Sequence, residues 1–397
     1  MSDKKDQYWV MSRRNRMHGL EPIRKACAAF GNPQNHLKII HVAGTNGKGS
    51  TVNYIRAVLC ALGYRVGTFT SPHLTAHFDR IRINDVWIEE DVFNAYLEKN
   101  LKVIEELDLG MFEIDTLIAF EWFAECKVDY AIIETGLGGR LDNTNIIEQP
   151  LLSLITTIGF DHMAILGDRL TQIAFEKAGI IKHGSHCIHG YLTPSCTKVI
   201  HARARAVQAA CHGIHAYRNT GMNQMEYRGC IYEVSGAQYQ KANACLALEA
   251  IRFLGFDIKD ERVKKAVREC TWKGRFEKIS EHPDIILDGA HNEEGIRALC
   301  ASVSNLKRPL VCVFSALKDK PGRTMSGLLE EAVDQLIVTS FENERADSID
   351  HLVSEHALII DDWHEAIEKA EQNAENGTVL ITGSLYFIST VRQYLTD

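Results

Sequence analysis

A glycine-rich turn between an apolar segment and a helical pattern is the feature that most restricts how this 397-residue chain folds. Residues 44–51 read Gly-Thr-Asn-Gly-Lys-Gly-Ser-Thr, after the apolar run 37–43 and before the helical pattern 52–62. This order directs backbone N–H groups and the positive end of a helix dipole towards one anion, and Lys48 adds a full positive charge. The pattern predicts a loop that binds a polyphosphate.

The spacing of this loop differs from that of the commonest phosphate loop, in which a hydroxyl residue directly follows the lysine. Here Val42 stands where the first glycine would be, and Gly49 separates Lys48 from Ser50. A glycine turn without a ligand is the alternative, but the order of strand, turn, lysine and helix favours phosphate binding. The predicted nucleotide contacts in the loop are Thr45, Asn46, Gly47, Lys48, Gly49 and Ser50.

Composition and charge exclude several classes of protein. The apolar content of 45% predicts a sizeable core, and the length is typical of two or three domains. A net charge of −8 without a basic stripe argues against a nucleic-acid partner. We interpret the short basic run 13–16 as a solvated N-terminal face.

The sequence also indicates a compartment. The charged N-terminus is not followed by an apolar segment typical of a signal peptide, and no stretch reaches the apolar length of a membrane span. Eleven cysteines form no C-x-x-C pair, and several fall inside apolar helical patterns. We therefore expect a cytoplasmic protein without a membrane partner, whose cysteines are small buried apolar residues rather than disulfides or metal ligands.

Apolar, β-branched segments of strand length alternate with helical patterns along the chain. The predicted strands cover residues 39–43, 65–70, 130–135, 152–158, 285–287, 310–314, 335–339 and 379–382. Helical patterns fill most of the gaps, as at residues 114–126, 241–254 and 293–303. This alternation predicts an α/β fold with parallel sheets covered by helices.

The position of the phosphate loop and a second strand series predict two domains. A nucleotide-binding domain with a parallel sheet would cover residues 1–275, and a smaller Rossmann-like α/β domain would cover residues 280–397. The polar, glycine-containing segment at about 271–280 is the predicted hinge. Ligands of open parallel sheets bind outside the carboxyl ends of the strands, so facing strand ends would enclose the site.

Four further clusters fall at or just after predicted strand or helix ends. They are Thr-Ser-Pro-His-Leu at 70–74, the segment 134–145 that begins with Glu134, the pair Asp161 and His162, and Glu-Lys-Ala-Gly-Ile at 176–180. A hydroxyl, a carboxylate and an imidazole near a triphosphate would suit Mg²⁺. Singly, each residue also fits a structural role, such as a turn hydroxyl or a histidine at a helix start.

Taken together, these clusters resemble the folylpolyglutamate synthase and dihydrofolate synthase family, the folate branch of the Mur ligase superfamily. The matching stretches run in the order of that family and span most of the chain. They are His-Val-Ala-Gly-Thr-Asn-Gly-Lys-Gly-Ser at 41–50, 70–74, 134–145, Asp-His-Met-Ala-Ile-Leu-Gly at 161–167, 176–182, Gly-Arg-Phe-Glu at 274–277, Asp-Gly-Ala-His-Asn at 288–292 and Thr-Gly-Ser-Leu-Tyr at 382–386.

The resemblance implies an ATP-dependent ligase that uses Mg²⁺. A pterin-linked carboxylate would attack the γ-phosphate of ATP, and the amino group of L-glutamate would capture the acyl phosphate. The acceptor would be dihydropteroate, the glutamate tail of a reduced folate, or both. We expect a monomer.

Site residues are carried over from the family by position. The implied catalytic residues are Lys48, Lys177 and His162. The implied metal ligands, for two magnesium ions, are Ser71, Glu134, His162 and a carbamylated Lys177. Further nucleotide contacts are Asn243, Arg275 and Asp288. The implied pterin contacts are Met111, Phe112, Leu141, Asp142 and Asn143, with Phe112 equally interpretable as a core aromatic residue. The implied contacts on the glutamate side are His291 and Ser384.

Some positions depart from the family pattern, and two other functions stay open. Tyr239 replaces a frequent histidine and Met163 a frequent threonine, which bears on substrate preference rather than on the reaction. A cell-wall Mur ligase would need a further domain before the loop, for which residues 1–43 are too short. A nucleotide-driven switch of the GTPase kind would need the ordinary loop spacing and an Asn-Lys-x-Asp stretch, which the chain lacks.

Overall fold

The computed structural model of the protein describes residues 5–14 and 19–396. Over these residues, the N-terminal part of the chain builds an eight-stranded sheet in the order β4-β3-β2-β5-β1-β6-β7-β8. Its strands are β1 (Ile39–Ala43), β2 (Val66–Phe69), β3 (Ile81–Ile83), β4 (Val86–Trp87), β5 (Tyr130–Glu134), β6 (Leu152–Ile155), β7 (His186–His189) and β8 (Ala210–Gly213). The strands from β2 to β8 in this order are parallel, whereas β3 and β4 extend the sheet in antiparallel fashion.

Helices cover both faces of this sheet. They are α1 (Gln7–Ser12), α2 (Glu21–Ala29), α3 (Lys48–Ala61), α4 (Glu90–Glu106), α5 (Met111–Glu125), α6 (Met163–Leu166), α7 (Leu170–Ala178), α8 (Pro194–Ala206), α9 (Tyr239–Phe253) and α10 (Glu261–Glu269). Short 3₁₀ helices lie at Pro33–His36, His77–Arg80 and Asn143–Ile146. A small antiparallel sheet of β9 (Arg218–Gly221), β10 (Gln224–Tyr227) and β11 (Cys230–Glu233) packs beside α9 and α10.

The alternation of side chains along each central strand explains the two-sided core. Ile40 and Val42 of β1 point to the face covered by α3 and α9, whereas Ile39 points to the face covered by α5. In β5, Ile132 points to the face covered by α3 and α9, and Ile133 points to the face covered by α5. Parallel strands buried on both faces need apolar residues at nearly every position, which is why these segments are recognisable in the sequence.

The C-terminal part of the chain forms a second sheet, which in the described residues has the order β12-β13-β17-β14-β15-β16. Its strands are β12 (Arg275–Glu281), β13 (Asp284–Asp288), β14 (Leu310–Phe314), β15 (Gln335–Val338), β16 (Leu358–Ile359) and β17 (Thr378–Thr382). Its helices are α11 (Glu293–Val303), α12 (Gly322–Glu330), α13 (Ile349–Leu352), α14 (Trp363–Ala374) and α15 (Leu385–Thr396). All neighbouring strands are parallel except the pair β12 and β13.

The predicted α/β class with two parallel-rich sheets is confirmed. The predicted hinge at 271–280 contains most of β12, which pairs with β13. The side chains of β12 are half-buried or exposed at this sheet edge, so the segment lacks the apolar run of a central strand. Within the predicted hinge, only residues 271–274 lie outside a helix or strand.

The prediction for the basic run 13–16 is wrong at Arg13. This side chain is buried, and its guanidinium donates to Leu109 O at 2.6 Å and to Asp108 Oδ1 at 2.8 Å. Arg14 is about half exposed, as predicted, whereas Asn15 and Arg16 lie outside the described residues. None of the helices in the described part of the chain has the length and apolar character needed to cross a membrane.

Gly67 in β2 provides a test of the packing between this sheet and α5. A Cβ atom at this position would lie 2.8 Å from ring atoms of Phe123, so Gly67→Ala would force the buried ring to move. We expect a loss of about 1–3 kcal/mol in the free energy of unfolding, seen as a lower melting temperature. Gly327→Ala is the matched control, because Gly327 lies within α12 and its Cβ would meet no atom within 4 Å. The control should gain up to about 1 kcal/mol. Equal melting temperatures for the two variants would contradict this packing.

Candidate active site

Two adjoining cavities lie where the carboxyl ends of the two sheets face each other. The first has a volume of about 320 Å³ and is lined by residues 44–50 and by residues 288–291 of the second sheet. The second has a volume of about 510 Å³. Both cavities are lined by Ser71, His162 and His291, so a ligand can extend from one into the other.

The glycine-rich loop follows β1 and is shaped by close approaches that exclude side chains. Gly47 has φ +85° immediately before α3, and a Cβ there would lie 2.3 Å from Asn243 Oδ1. A Cβ on Gly44 would lie 1.8 Å from Thr156 Oγ1. These two positions therefore require glycine, in agreement with the phosphate-loop prediction.

Residues that follow β6 hold the loop in place. The Thr45 amide donates to Thr157 O at 2.8 Å, and the Asn46 amide donates to Thr157 Oγ1 at 2.9 Å. The Thr156 hydroxyl donates to Asn46 O at 2.6 Å. The loop is thus fixed by hydrogen bonds to the segment that follows β6.

Lys48 and Glu134 lie together at the base of the first cavity. The Lys48 ammonium donates to Gly44 O and to Thr45 O, each at 3.2 Å, and lies 3.8 Å from Glu134 Oε1. Glu134 is almost fully buried, and its Oε2 has no hydrogen-bond partner among the described residues. Burial raises the pKa of Glu134 to about 7, although the charges of Lys48 and Arg275 oppose this shift. A buried, unpartnered carboxylate oxygen that faces a cavity is suited to a cation.

Lys177 lies near the end of α7 and lines the same cavity. Its ammonium donates to Gly44 O at 2.9 Å. Burial, followed by the charge of Lys48, lowers the pKa of Lys177 to about 7. A large share of Lys177 is therefore the neutral amine near neutral pH, which is the nucleophilic form.

His162 and Ser71 complete the set of predicted metal ligands. His162 has φ +50° at the start of α6, and burial is the main cause that lowers its pKa to about 4. The imidazole is therefore neutral and able to coordinate a metal. Ser71 lines both cavities. A hydroxyl, a carboxylate and a neutral imidazole on one cavity wall fit a hard divalent cation such as Mg²⁺.

The remaining predicted nucleotide residues also line the first cavity. Arg275 Nη1 donates to Gly289 O at 3.1 Å, and Asn243 Nδ2 donates to Gln240 Oε1 at 3.0 Å. Asp288 accepts hydrogen bonds from the amide of Ala290 at 2.9 Å and from the hydroxyl of Tyr239. Tyr239, noted in the sequence as a departure from the family pattern, thus lies in the site and orients Asp288.

Four of the five predicted pterin residues line the second cavity. Phe112, Leu141, Asp142 and Asn143 line the second cavity, whereas Met111 lines neither of the two. The ring of Phe112 packs against Phe69, with the ring centroids 5.3 Å apart, and covers Gly136. It is thus both a packing residue and part of the cavity wall.

Asp142 shapes the loop after β5 rather than offering a free carboxylate. Its Oδ2 accepts from the Leu137 amide at 2.8 Å, and its Oδ1 accepts from the Thr144 hydroxyl at 2.5 Å. The Thr144 oxygen in turn lies 2.8 Å from Nε2 of the fully buried His41 of β1. Because the Thr144 hydroxyl donates to Asp142, His41 Nε2 donates to Thr144.

His291 and Ser384, predicted on the glutamate side, both line the second cavity. His291 Nε2 lies 3.6 Å from Asp161 Oδ2. Ser384 is almost fully buried, and its Oγ accepts from the Tyr386 amide at 3.2 Å. The second cavity also has several cationic side chains in its wall, namely Arg14, Arg80, Arg140, Lys320 and Arg345.

A polar cluster that sequence reasoning missed joins the two sheets across the cavity. The side-chain amides of Asn46 and Asn292 exchange hydrogen bonds of 2.9 and 3.1 Å. Asn292 also donates to Asp161 Oδ2 at 3.1 Å, and Lys320 Nζ donates to Asp161 Oδ1 at 2.6 Å. Burial of Asp161 is outweighed by a hydrogen bond from His291 and by the Lys320 charge, which hold its pKa well below the usual range. Lys320 follows the carboxyl end of β14, a strand-end position that could have marked it as a candidate.

Comparisons with known proteins agree with this geometry. Residues 274–385 match the family described as "Mur ligase, glutamate ligase domain". The chain is 36% identical over 408 residues to the dihydrofolate synthase/folylpolyglutamate synthase of Bacillus subtilis, an alignment that covers 95% of each protein. The chain belongs to the dihydrofolate synthase/folylpolyglutamate synthase family. The resemblance inferred from the sequence is thereby confirmed, and the enzyme is an ATP-dependent ligase of folate metabolism.

Solved structures of related dihydrofolate synthases and folylpolyglutamate synthases share the whole architecture. The folylpolyglutamate synthase of Mycobacterium tuberculosis, complexed with ADP and AMPPCP, has a TM-score of 0.89 at 27% identity and covers 98% of this chain and 97% of its own. A bifunctional folylpolyglutamate synthase/dihydrofolate synthase with Mn, AMPPNP and L-glutamate bound has a TM-score of 0.88 at 28% identity, with the same coverage. These complexes contain the ATP analogues AMPPCP and AMPPNP, in agreement with an ATP-dependent ligase, and the second also contains Mn.

His41 provides a pH test of the series of hydrogen bonds from His41 through Thr144 to Asp142. Burial, followed by the charge of Lys182, lowers the pKa of His41 to about 3, against about 6.5 in an unfolded chain. Between these values the unfolded protein binds a proton at this residue that the folded protein does not, so stability falls as the pH falls. In His41→Gln we expect the slope of unfolding free energy against pH to decrease by up to about 1.4 kcal/mol per pH unit between pH 6 and 4.

The measurement is denaturant unfolding over that pH range. His183→Gln is the control, because this histidine is exposed and bonds only Gln208 among the described residues. The same slope in His41→Gln and in the parent would contradict a neutral His41.

Proposed function

We propose that this ligase joins L-glutamate both to dihydropteroate and to the glutamate tail of reduced folates. The observation that carries the proposal is the continuity of the two cavities, which share a wall formed by Ser71, His162 and His291. The first has the loop and charges for a nucleotide, and the second has room and cationic side chains for an acceptor that ends in a carboxylate. The relative of 36% identity carries both enzyme names.

The reaction begins with attack of the acceptor carboxylate on the γ-phosphate of ATP, which forms an acyl phosphate and releases ADP. A carboxylate is a poor electrophile until one oxygen becomes part of a phosphate leaving group, so the acyl phosphate is the activated form. Lys48, Arg275 and the backbone N–H groups of the loop neutralise the charge on the transferred phosphoryl group. The amino group of glutamate then displaces phosphate and forms the amide.

The proposed metal ligands are Ser71, Glu134 and His162 for one Mg²⁺, with a carbamylated Lys177 for a second. The unpartnered Glu134 Oε2, the neutral His162 and the lowered pKa of Lys177 support this set. In carbamylation the neutral amine bonds to the carbon of CO₂ and releases a proton, which leaves a negatively charged oxygen ligand in place of an ammonium. When bound, Mg²⁺ would neutralise charge on the phosphates.

We place the nucleotide against the loop, with Asn243, Arg275, Asp288 and Tyr239 on its other side. The pterin end of the acceptor would lie in the second cavity near Phe112, Leu141 and Asn143, with Asp142 holding that wall. Glutamate would bind near His291 and Ser384, where Lys320 and Arg345 add positive charge for its carboxylates. Met111, which precedes Phe112 on α5 and lines neither cavity, would only support Phe112.

We further propose that the domains divide at residues 271–274, with β12 in the C-terminal domain. The protein would act as a monomer, because both cavities are lined by one chain. The reaction would take place in the cytoplasm, where ATP is available.

Phosphate release tests the function. The enzyme should release phosphate from ATP only when glutamate and an acceptor are both present, with dihydropteroate and with tetrahydrofolate in separate reactions. Release with one acceptor alone would contradict the dual assignment. Release without any acceptor or glutamate, at the full rate, would contradict a ligase and would fit a nucleotide switch.

Lys48→Ala tests the phosphate loop. This change removes a mobile positive charge next to the transferred phosphoryl group, and we expect kcat to fall by at least about 100-fold. The partly exposed Lys264 of α10, which lines neither cavity, is a matched control, and its replacement by alanine should leave kcat unchanged. Circular dichroism and the melting temperature verify that the variant is folded. Near-normal turnover of folded Lys48→Ala would contradict the assignment.

Lys177→Ala tests the proposed carbamate. Loss of a metal ligand should lower kcat by about 100-fold or more, and acetate or formate should restore part of the activity by supplying a carboxylate oxygen. Lys182→Ala is the matched control, because Lys182 is also partly buried with a pKa lowered to about 8 but lines neither cavity. The control should stay active and should not respond to acetate. Full activity of the parent enzyme in carbonate-free buffer, with unmodified Lys177 by mass spectrometry, would contradict the carbamate.

A further inference from the structure

Two histidines and a cysteine converge at the edge of the first sheet formed by β7 and β8, and none of them lines either cavity. His189 ends β7, Cys211 belongs to β8, and His201 comes from α8, which packs over these strands. In the parallel register Cys187 pairs with Cys211, and His189 pairs with Gly213. Residues two apart on a strand share a face, so His189 and Cys211 both point towards α8.

The three side chains lie close enough together for one metal ion, and the two histidine nitrogens are spaced nearly as in a tetrahedral site. The Nε2 atoms of His189 and His201 are 3.2 Å apart, and the donor atoms of all three residues lie within 4.8 Å of one another. Zinc binds imidazole nitrogen at about 2.0–2.1 Å and thiolate at about 2.3 Å, so tetrahedral ligands lie about 3.4 Å (N to N) and about 3.6 Å (N to S) apart. Small side-chain rotations would bring the cysteine sulfur from its present position to this distance.

Neighbouring groups orient the ligands in the way that metal sites require. His189 Nδ1 donates to Gly190 O at 2.8 Å, which leaves the lone pair of Nε2 directed at His201. The ring lies over Gly213, where a Cβ atom would come within 2.7 Å of His189 Cε1. Glycine opposite His189 therefore makes room for this ring position.

The protonation states favour coordination as well. Burial, and after it the charges of His201 and His212, lower the pKa of His189, although the bond to Gly190 opposes this shift. A hydrogen bond from the Cys187 thiol lowers the pKa of Cys211. Zinc binds neutral imidazole and thiolate, so both shifts are in the direction that favours coordination.

We propose that His189, His201 and Cys211 bind one Zn²⁺ ion that fastens α8 to the edge formed by β7 and β8. His201 and Cys211 are half-buried, so the fourth position is open to a water molecule. None of the three residues lines the cavities of the ligase reaction. Because thiolate is a soft ligand, this site would prefer zinc, whereas the oxygen-rich site proposed in the first cavity would prefer magnesium.

Cobalt spectroscopy tests the site directly. Full-length protein is stripped with a chelator and titrated with Co²⁺ in the presence of excess Mg²⁺, which occupies the active site. We expect one equivalent of Co²⁺ to produce the intense visible absorption of tetrahedral cobalt together with a thiolate-to-cobalt charge-transfer band. Cys211→Ser should lose the charge-transfer band, and His201→Ala should bind at least about 10–100-fold more weakly.

Two controls keep the spectroscopic test specific. Cys300→Ser changes another half-buried cysteine, whose Sγ donates to Leu328 O, and His183→Ala changes an exposed histidine. Both should retain the full cobalt spectrum. Absence of the charge-transfer band in the parent protein, or the same band in Cys211→Ser, would overturn the proposal. Absence of the band would show that His189 and His201 only share a hydrogen bond.

Thermal unfolding supplies a readout that is independent of the spectrum and of activity. Zn²⁺ binding to the folded state should raise the melting temperature of the parent protein by several degrees. His201→Ala, whose folding is verified by circular dichroism, should show no such rise. An unchanged melting temperature of the parent, or an equal rise in the variant, would overturn the proposed site and indicate adventitious surface binding.

Discussion

The carbonyl oxygen of Gly44 accepts hydrogen bonds from two lysines, and the chemistry of the active site depends on this shared acceptor. Lys48 and Lys177 donate to it at 3.2 and 2.9 Å. Burial of the Lys177 ammonium, and after it repulsion by the nearby Lys48 ammonium, lowers the pKa of Lys177 to about 7. Lys177 thereby approaches its neutral form, as the proposed reaction with CO₂ requires, whereas Lys48 is the lysine proposed to bind phosphate.

The same loop couples the two domains. Asn46 bonds Asn292 on the opposite sheet, and Asn292 and Lys320 both bond Asp161. This network lies between the nucleotide loop and the cavity proposed for glutamate. A partly buried network in which partners satisfy one another holds a defined geometry. In the proposed mechanism it would set the distance between the phosphoryl group and the amino acid that captures the acyl phosphate.

Most of the central fold could be predicted from the sequence, because strands buried on both faces must be apolar at nearly every position. The edge strands could not be predicted in this way, because β12 and the small sheet of β9, β10 and β11 carry polar residues on their exposed faces. The loop, Lys177 and Glu134 were found through motif spacing and resemblance to a family.

Residues whose role depends on packing escaped sequence reasoning. Lys320 and Arg345 reach the second cavity from loops of the C-terminal sheet, far in sequence from the other site residues. For Asp142, which the resemblance implies as a pterin contact, the sequence could not show that both carboxylate oxygens accept hydrogen bonds from Leu137 and Thr144. The cysteines were interpreted as small apolar residues, which holds for the seven that are buried, whereas Cys211 gains its histidine neighbours only when β7, β8 and α8 come together.

The central claim is that the acceptor carboxylate attacks the γ-phosphate held by the loop around Lys48. The most direct measurement uses dihydropteroate whose carboxylate carries a heavy oxygen isotope, with mass analysis of the phosphate released in a single turnover. Attack on the γ-phosphate predicts that one labelled oxygen passes from the carboxylate to inorganic phosphate. Phosphate without label, or label in the nucleotide, would contradict the account.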